Sequence, residues 1–458
     1  MRPNIIIKHM KSYSTFEWLL FIKILEAKND EEIKSISNDD LESYNLKNTN
    51  WHVILIDLAI RLSDDTNLQV DIRNLPEIRN YHIFISHYIN THDEEESFAQ
   101  DLNHSMFLAL SKYSYEQLKR FSPIANNLGR LLELYGDIED RYKSVFGLSP
   151  RQTLLFYLLH YTQQKLLPPF SFNEMFEIMQ KLDATIKGKQ LRRFFEIFSI
   201  SIKDYRLTAK SRGISKTTIK CKRIIEFSPI LKLANDYYFI PSAIVLLESL
   251  TYKTFEILMN EASEPDAFRR KFGEPFENYV RKLTNCFHGN FLHECHDLIV
   301  KDGQKKAEFY LLKNDVLIVI EAKVLHIDED IILSKQTCEI EKKFKSTLQK
   351  ALKQIQTSFN HIAAKEKYGI IVIHTHMPMI GAWTDFIERH VASEYTGRIQ
   401  LMSIFEYEST IHYELERIAE YLDQGTPDRN FLESFPDLKN PYLVESMQKS
   451  IKLYDLLK

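Results

Sequence analysis

The sequence predicts a two-part architecture, with a large, mainly α-helical N-terminal domain followed by an α/β core in the C-terminal half. Three observations carry this expectation. Residues 291–374 alternate short apolar runs with turn signals, the pattern of a sheet interrupted by one helix. The first 265 residues instead repeat apolar side chains at helical spacing behind helix-start signals. Glycine is scarce, 12 residues against 29 Phe and 23 Tyr, which favours helices joined by few flexible linkers.

At 458 residues the chain exceeds one ordinary hydrophobic core. The sequence divides into a helical module at 1–265 suited to sensing or docking, an α/β domain at 266–400 and a helical extension at 401–458. Hydrophobic content of 44% and charged content of 27% belong to a soluble globular protein rather than a disordered one. A net charge of -4 means that any nucleic-acid contact must come from local patches. Cys221, Cys286, Cys295 and Cys338 show no CxxC spacing, so a reducing cytoplasm is the expected location. No apolar run approaches the length of a membrane span, and no secretory leader is recognisable.

Within the N-terminal module, Ser14-Thr15-Phe16-Glu17 and Ser171-Phe172-Asn173-Glu174 are capping-box patterns, each opening a helix. Phe16, Leu19, Leu20, Ile22, Ile24 and Leu25 supply one apolar face, and Leu128, Leu131, Leu132 and Leu134 another. Pro168-Pro169 separates two helices. From Lys187 to Arg223 the chain carries twelve Lys and Arg against two acids, Glu196 and Asp204. Lys187, Lys189, Arg192, Arg193, Arg206, Lys210, Arg212, Lys216, Lys220, Lys222 and Arg223 are candidate phosphate contacts, because displacing condensed counterions gives sequence-independent affinity. A solvated surface or a docking face for an acidic partner is the plainer alternative. Asn235 to Pro241 reads as a turn, a short strand and a helix start, the helix running from Ser242 to about Glu261. Pro265-Asp266 marks the boundary before the α/β domain.

That domain holds the most informative stretch, Lys305 to Val324. Glu308 lies in one apolar strand, while Glu321 and Lys323 end the next, after Val316, Leu317, Ile318, Val319 and Ile320. Residues two apart on a strand share a face, so Glu321 and Lys323 point the same way. Lys313-Asn314-Asp315 is a turn signal that folds the strands into a hairpin and brings Glu308 beside Glu321. Burying such charges is costly unless they are paired or bind a cation. A strand-end salt bridge is the bland explanation; the apolar run before Glu321 weighs against it. Two carboxylates and a lysine are suited to metal-assisted phosphodiester hydrolysis.

This region resembles the catalytic core of the PD-(D/E)XK nuclease superfamily over roughly residues 268–400. Phe272 to Val280 is similar to the family's first core helix, and Glu277 fits the glutamate that often faces the metal there. The strand Phe291–Val300, the Asp302-Gly303 turn, the hairpin, a helix at Phe344–Ala364 and the strand Tyr368–His374 follow in the family's order. The resemblance implies an α/β restriction-endonuclease-like nuclease core, a mixed sheet flanked by helices. It implies that Glu308 and Glu321 bind Mg²⁺ or Mn²⁺, that Lys323 orients the attacking water, and that Glu277 supports the metal or a second site. Two departures stand out. Ala307-Glu308 replaces the usual aspartate, often preceded by proline, and the extra methylene moves the carboxylate outward. Ser358 stands four after Gln354 where some relatives have tyrosine, so Gln354 receives no role, although Lys345, Lys350 and Lys353 make this helix basic.

Cys286, His288, His293, Cys295 and His296 fall within eleven residues, but their spacing fits no familiar zinc site. His374 and His376 end a strand and are left unassigned. No GxxxxGK[ST] loop or GxSxG elbow occurs. By family analogy the expected activity is a metal-dependent endonuclease acting on DNA, in prokaryotic defence against phage or plasmids. A homo- or hetero-oligomer is expected, with a protein partner as a source of the trigger and no membrane association. The rivals are RNA cleavage, for instance of transfer RNA, and a catalytically inactive nuclease-fold scaffold.

Overall fold

The computed structural model describes residues 3–27, 49–63, 71–74, 76–80, 124–162, 169–214, 224–299, 304–325, 337–374, 398–423, 435 and 437–455. They form a mixed α/β protein, mostly helical, with two mixed sheets. The chain divides into two compact units. One comprises Met1–Leu102, Glu139–Leu258 and Ser450–Lys458; the other comprises Asn103–Ile138 and Met259–Lys449. The helix Ile124–Gly136, assigned by sequence to the N-terminal module, thus belongs to the second unit, as does most of the segment after residue 400. No helix of the described residues is long and apolar enough to cross a membrane.

In the first unit both capping boxes form. Glu17 N donates to Ser14 Oγ at 3.2 Å and Ser14 N to Glu17 Oε2 at 2.8 Å, opening the helix Thr15–Ala27. Trp18, Leu19 and Ile22 of that helix are buried in one cluster with Ile54, Leu55 and Leu58 of the helix Thr49–Leu62. This unit also contains a four-stranded sheet: β1 (Phe170–Ser171), β2 (Ser199–Ser201), β3 (Ile230–Lys232) and β4 (Tyr237–Phe239), in the order β1-β4-β3-β2. Only the strand at 237–239 was legible beforehand, since strands of two or three residues are too short to display alternation. Helix α1 (Phe172–Leu182) starts from the Ser171 capping box, α2 (Gly188–Phe198) buries Leu191, Phe194, Phe195 and Phe198, and α3 (Ile202–Ser211) follows β2. The expected helix from Ser242 to Glu261 is two helices, Ala243–Thr251 and Thr254–Asn260.

The second unit is built on a five-stranded sheet in the order β5-β6-β7-β8-β9. Its strands are β5 (Leu292–Glu294), β6 (Phe309–Lys313), β7 (Val316–Lys323), β8 (Glu366–Ile373) and β9 (Ile399–Ser403). β5, β6 and β7 pair antiparallel; β8 and β9 add in parallel. Asn314 and Asp315, with φ of 50° and 64°, form the two-residue hairpin turn between β6 and β7, whose twist suits the flanking strands. Helix α4 (Gly273–His288) precedes the sheet and packs on β7. Helix α5 (Thr337–His361) lies between β7 and β8, in the crossover that a parallel pair requires. Leu348, Ala351, Leu352, Ile355 and Phe359 of α5 pack with Leu317, Val319, Ile371 and Ile373 in one core. A Cβ on Gly369 of β8 would stand 3.0 Å from Ile355 Cγ2, so glycine there admits this helix close to the sheet.

Three sequence expectations change. The strand expected over Phe291–Val300 stops at Glu294, because Cys295–Asp297 turns into a 3₁₀ helix closed by Leu298 N to Cys295 O at 3.0 Å. β9 was missed. The extension expected to be helical from 401 instead opens in the end of β9, at Ser403, before the helices Ile404–Thr410 and Leu415–Asp423. The Asp302-Gly303 turn lies outside the described residues.

Behind α4 sits a fully buried ion pair. Arg130 donates from Nε to Glu408 Oε1 at 2.5 Å and from Nη2 to Oε2 at 2.6 Å, with side chains 1% and 0% exposed. Tyr279 of α4 donates to the same carboxylate at 2.7 Å, and Asn440 Nδ2 to the Glu408 carbonyl at 2.8 Å. This network fixes α4 two residues from Glu277.

Candidate functional site

Four sequence-selected residues meet where β7 ends. The β6–β7 register pairs Phe309 with Ile320, and one step further sets Glu308 against Glu321. Glu308 lies one residue before β6 rather than inside it, its carbonyl accepting from Cys295 N at 3.1 Å as the ladder ends. Lys323 pairs with Glu321 and stands 3.8 Å from Glu308 Oε1. Glu321 is 0% exposed, whereas Lys323 and Glu308 are 21% and 24% exposed, so the cluster opens to solvent on one side. Glu277, half-buried on α4, completes it electrostatically, for it interacts with both Glu308 and Lys323.

Burial and mutual repulsion push two of the carboxyls up. Glu321 rises from 4.5 to about 8, first because it is desolvated; Lys323 pulls down, while Glu308 and Glu277 push up. Glu277 rises to about 7, again mainly through burial, then through Glu308. Among the described residues, the Lys323 ammonium is the one hydrogen-bond donor that reaches a Glu321 oxygen. Lys323 supplies both charge and a hydrogen bond, and most of the carboxylate's acceptor capacity is left unused.

A carboxyl held above its unfolded pKa of 4.5 stabilises the fold fully below that value. That contribution is lost as pH climbs towards about 8, since the unfolded chain releases the proton first. Metal-free protein should accordingly lose stability between those pH values, and Glu321→Gln should flatten that portion of the profile. Calorimetry in a chelator measures this; an equal slope in the variant would refute the assignment.

Among the described residues, no three His, Cys, Asp or Glu side chains are grouped closely enough to form a metal-ligand set. Glu308 and Glu321 nevertheless fit a hard cation in donor type, and the acceptor capacity that Lys323 leaves over on the fully buried Glu321 is the observation that favours one. Mg²⁺ is commonly held by one or two carboxylates, with water and phosphate oxygens filling the remaining positions.

The residues set aside by sequence do not converge on a second centre. Cys286 is exposed, Cys295 is buried with its thiol pushed up to about 12, His288 bonds the Ile411 carbonyl at 2.9 Å, and His293 stacks on Tyr310. His374 is buried, its ring edge-on to Phe272 and Phe276 and its amide donating to Lys323 O at 3.1 Å, so it walls the strand end. His376 lies outside the described residues.

The basic segment proves heterogeneous. Lys187, Lys189, Lys210 and Arg212 are exposed. Arg192 is paired with Asp236 at 3.0 Å and lies over the Phe172 ring. Arg193 donates to Val145 O at 3.1 Å, and Arg206 to Ile60 O at 2.7 Å. Both arginines act as struts in the first unit. Lys216, Lys220, Lys222 and Arg223 lie outside the described residues. Comparisons with protein-family models, with curated proteins and with solved structures return no match, so the site stands on its geometry alone.

Proposed function

We propose that this chain is a Mg²⁺- or Mn²⁺-dependent phosphodiesterase of nucleic acid, its second unit serving as a restriction-endonuclease-like core. The observation that carries the reading is Glu321. It is fully buried, with Lys323 the one hydrogen-bond donor to it among the described residues, and is grouped with Glu308, Glu277 and Lys323 at a strand end. A purely structural salt bridge would satisfy its carboxylate with donors, as Glu408 is satisfied by Arg130 and Tyr279.

Glu308 and Glu321 would hold the cation. When bound, it supplies Lewis-acid polarisation of the phosphate and activation of water. Lys323 offers ammonium donors to that water or to a phosphate oxygen, on the side of the cluster that solvent reaches. Glu277, its carboxyl pushed up to about 7 and so partly protonated near neutral pH, could deliver a proton to the leaving oxygen. DNA is the substrate we favour, and prokaryotic defence the setting, both by analogy with nucleases of the family that the sequence resembles.

The test is cleavage of supercoiled plasmid with and without Mg²⁺ or Mn²⁺, beside RNA of matched length. Metal-dependent nicking supports the reading. Cleavage of RNA alone would redirect the substrate, while the absence of any metal binding would favour a scaffold.

The exposed Lys187 and Lys189 provide a separate expected result. Replacing both by Ala should weaken duplex binding and lower the slope of log affinity against log salt by about two. Arg206→Ala should chiefly destabilise the first unit, because Arg206 bonds backbone carbonyls. Fluorescence anisotropy across a salt series measures the slope; no change would remove these lysines from the interface.

A further inference from the structure

We infer that Gln354 and Ser358, on the buried side of α5, are positioning residues that set the Glu308 carboxylate against Lys323. The inference rests on the metal-site reading above and deepens it. Glu308 lies outside the regular ladder, so something other than β6 must fix its backbone. Three consecutive residues are held in turn. Gln354 Nε2 donates to Lys306 O at 2.8 Å, Ala307 N donates to Ser358 Oγ at 3.1 Å, and Cys295 N donates to Glu308 O at 3.1 Å.

Gln354 and Ser358 are four apart and therefore neighbours on one helix face. Ser358 is fully buried, with its hydroxyl 3.1 Å from Gln354 O and 3.7 Å from Cys295 Sγ. The same hydroxyl thus touches the segment before β6 and the residue that follows β5. Ala307 packs in the core shared by α5 and β7, which leaves little freedom between the clamp and the carboxylate. A glutamate standing where relatives of the resembled family have aspartate has one more rotatable bond, and a rigid backbone beneath it limits where its carboxylate can go.

Mn²⁺ titration of the full chain, followed by electron paramagnetic resonance, tests the inference in wild type, Glu308→Gln, Gln354→Glu and the double variant. Gln354→Glu keeps shape but removes the donor, and Gln356→Glu controls for the added charge. The expected result is a loss of about 10- to 100-fold in Mn²⁺ affinity for Gln354→Glu, the range typical of outer-sphere supports. The loss should be absent in the control and should not add to that of Glu308→Gln. Hydrogen exchange of the peptide spanning 304–312 provides a readout independent of metal. Ser358→Ala should accelerate exchange at Ala307 by roughly tenfold, the worth of one lost hydrogen bond.

Wild-type Mn²⁺ affinity in Gln354→Glu would overturn the inference while leaving the metal site standing. Unchanged exchange in Ser358→Ala would overturn the clamp itself. If wild type and Glu308→Gln bind Mn²⁺ equally or not at all, the metal-site reading fails and the positioning role falls with it, whatever the exchange result.

Discussion

Lys323→Ala is expected to reduce phosphodiester cleavage by about 10²- to 10⁴-fold, the usual worth of a group that handles the attacking water or its proton. Its effect should exceed simple loss of a donor. Lys323 is the charge that pulls the Glu321 carboxyl downward against desolvation, and without it Glu321 holds its proton to still higher pH. The variant should therefore load metal poorly at neutral pH and recover partly as pH rises above about 8. Thermal stability should change little, because a neutral Glu321 needs no counter-charge. Lys323→Arg should recover little, since the larger planar guanidinium presents its donors in a fixed fork rather than as the compact ammonium that this strand end holds. Nicking rates and Mn²⁺ affinity across pH 6–9 give the comparison, a range set at about 6 to 9 so as to bracket the carboxyls raised by burial. Equal cleavage by Lys323→Ala and wild type would remove the assigned site.

Breaking the Arg130–Glu408 pair should have the largest effect on stability. Arg130→Ala leaves Glu408 buried with Tyr279 as its remaining donor among those described, and removal of one partner from a buried pair costs about 3–5 kcal/mol. Glu408→Gln should be comparably harmful, since the guanidinium stays buried without its counter-charge. Arg130→Met combined with Glu408→Leu should recover much of the loss, because apolar packing can substitute for a buried ion pair but not for half of one. Urea unfolding of all three variants checks this. Nearly additive losses in the double variant would show that the pair is not coupled. Tyr279 lies two residues from Glu277, so the single variants should also impair the site by loosening α4.

The hairpin and its charges were legible because their signals are local. Asn314-Asp315 tolerates positive φ, and the apolar run of β7 ends at Glu321-x-Lys323. The capping boxes at Ser14 and Ser171 were legible for the same reason, each being contained within four residues. β1, β2, β3 and β9 were not legible. The first three are too short to show a period, and β9 follows a segment without recognisable pattern. Gln354 was left without a role because Ser358 follows it where some relatives of the resembled family have tyrosine; its bond to a backbone carbonyl 48 residues away leaves no local signal. Arg193 and Arg206 looked like phosphate contacts, since composition cannot distinguish a free guanidinium from one bonded to a carbonyl.

The sequence by itself determined the type and order of the elements around the site and which charged residues share a strand face. Those follow from periodicity, turn chemistry and the two-residue repeat of a strand. Tertiary structure alone decided that Glu321 is fully buried while Lys323 and Glu308 reach solvent, that Glu277 joins them from α4, and that α5 bonds the backbone of Lys306 and Ala307, the two residues before Glu308. Desolvation and long-range hydrogen bonds depend on which segments pack together, and no local pattern encodes them.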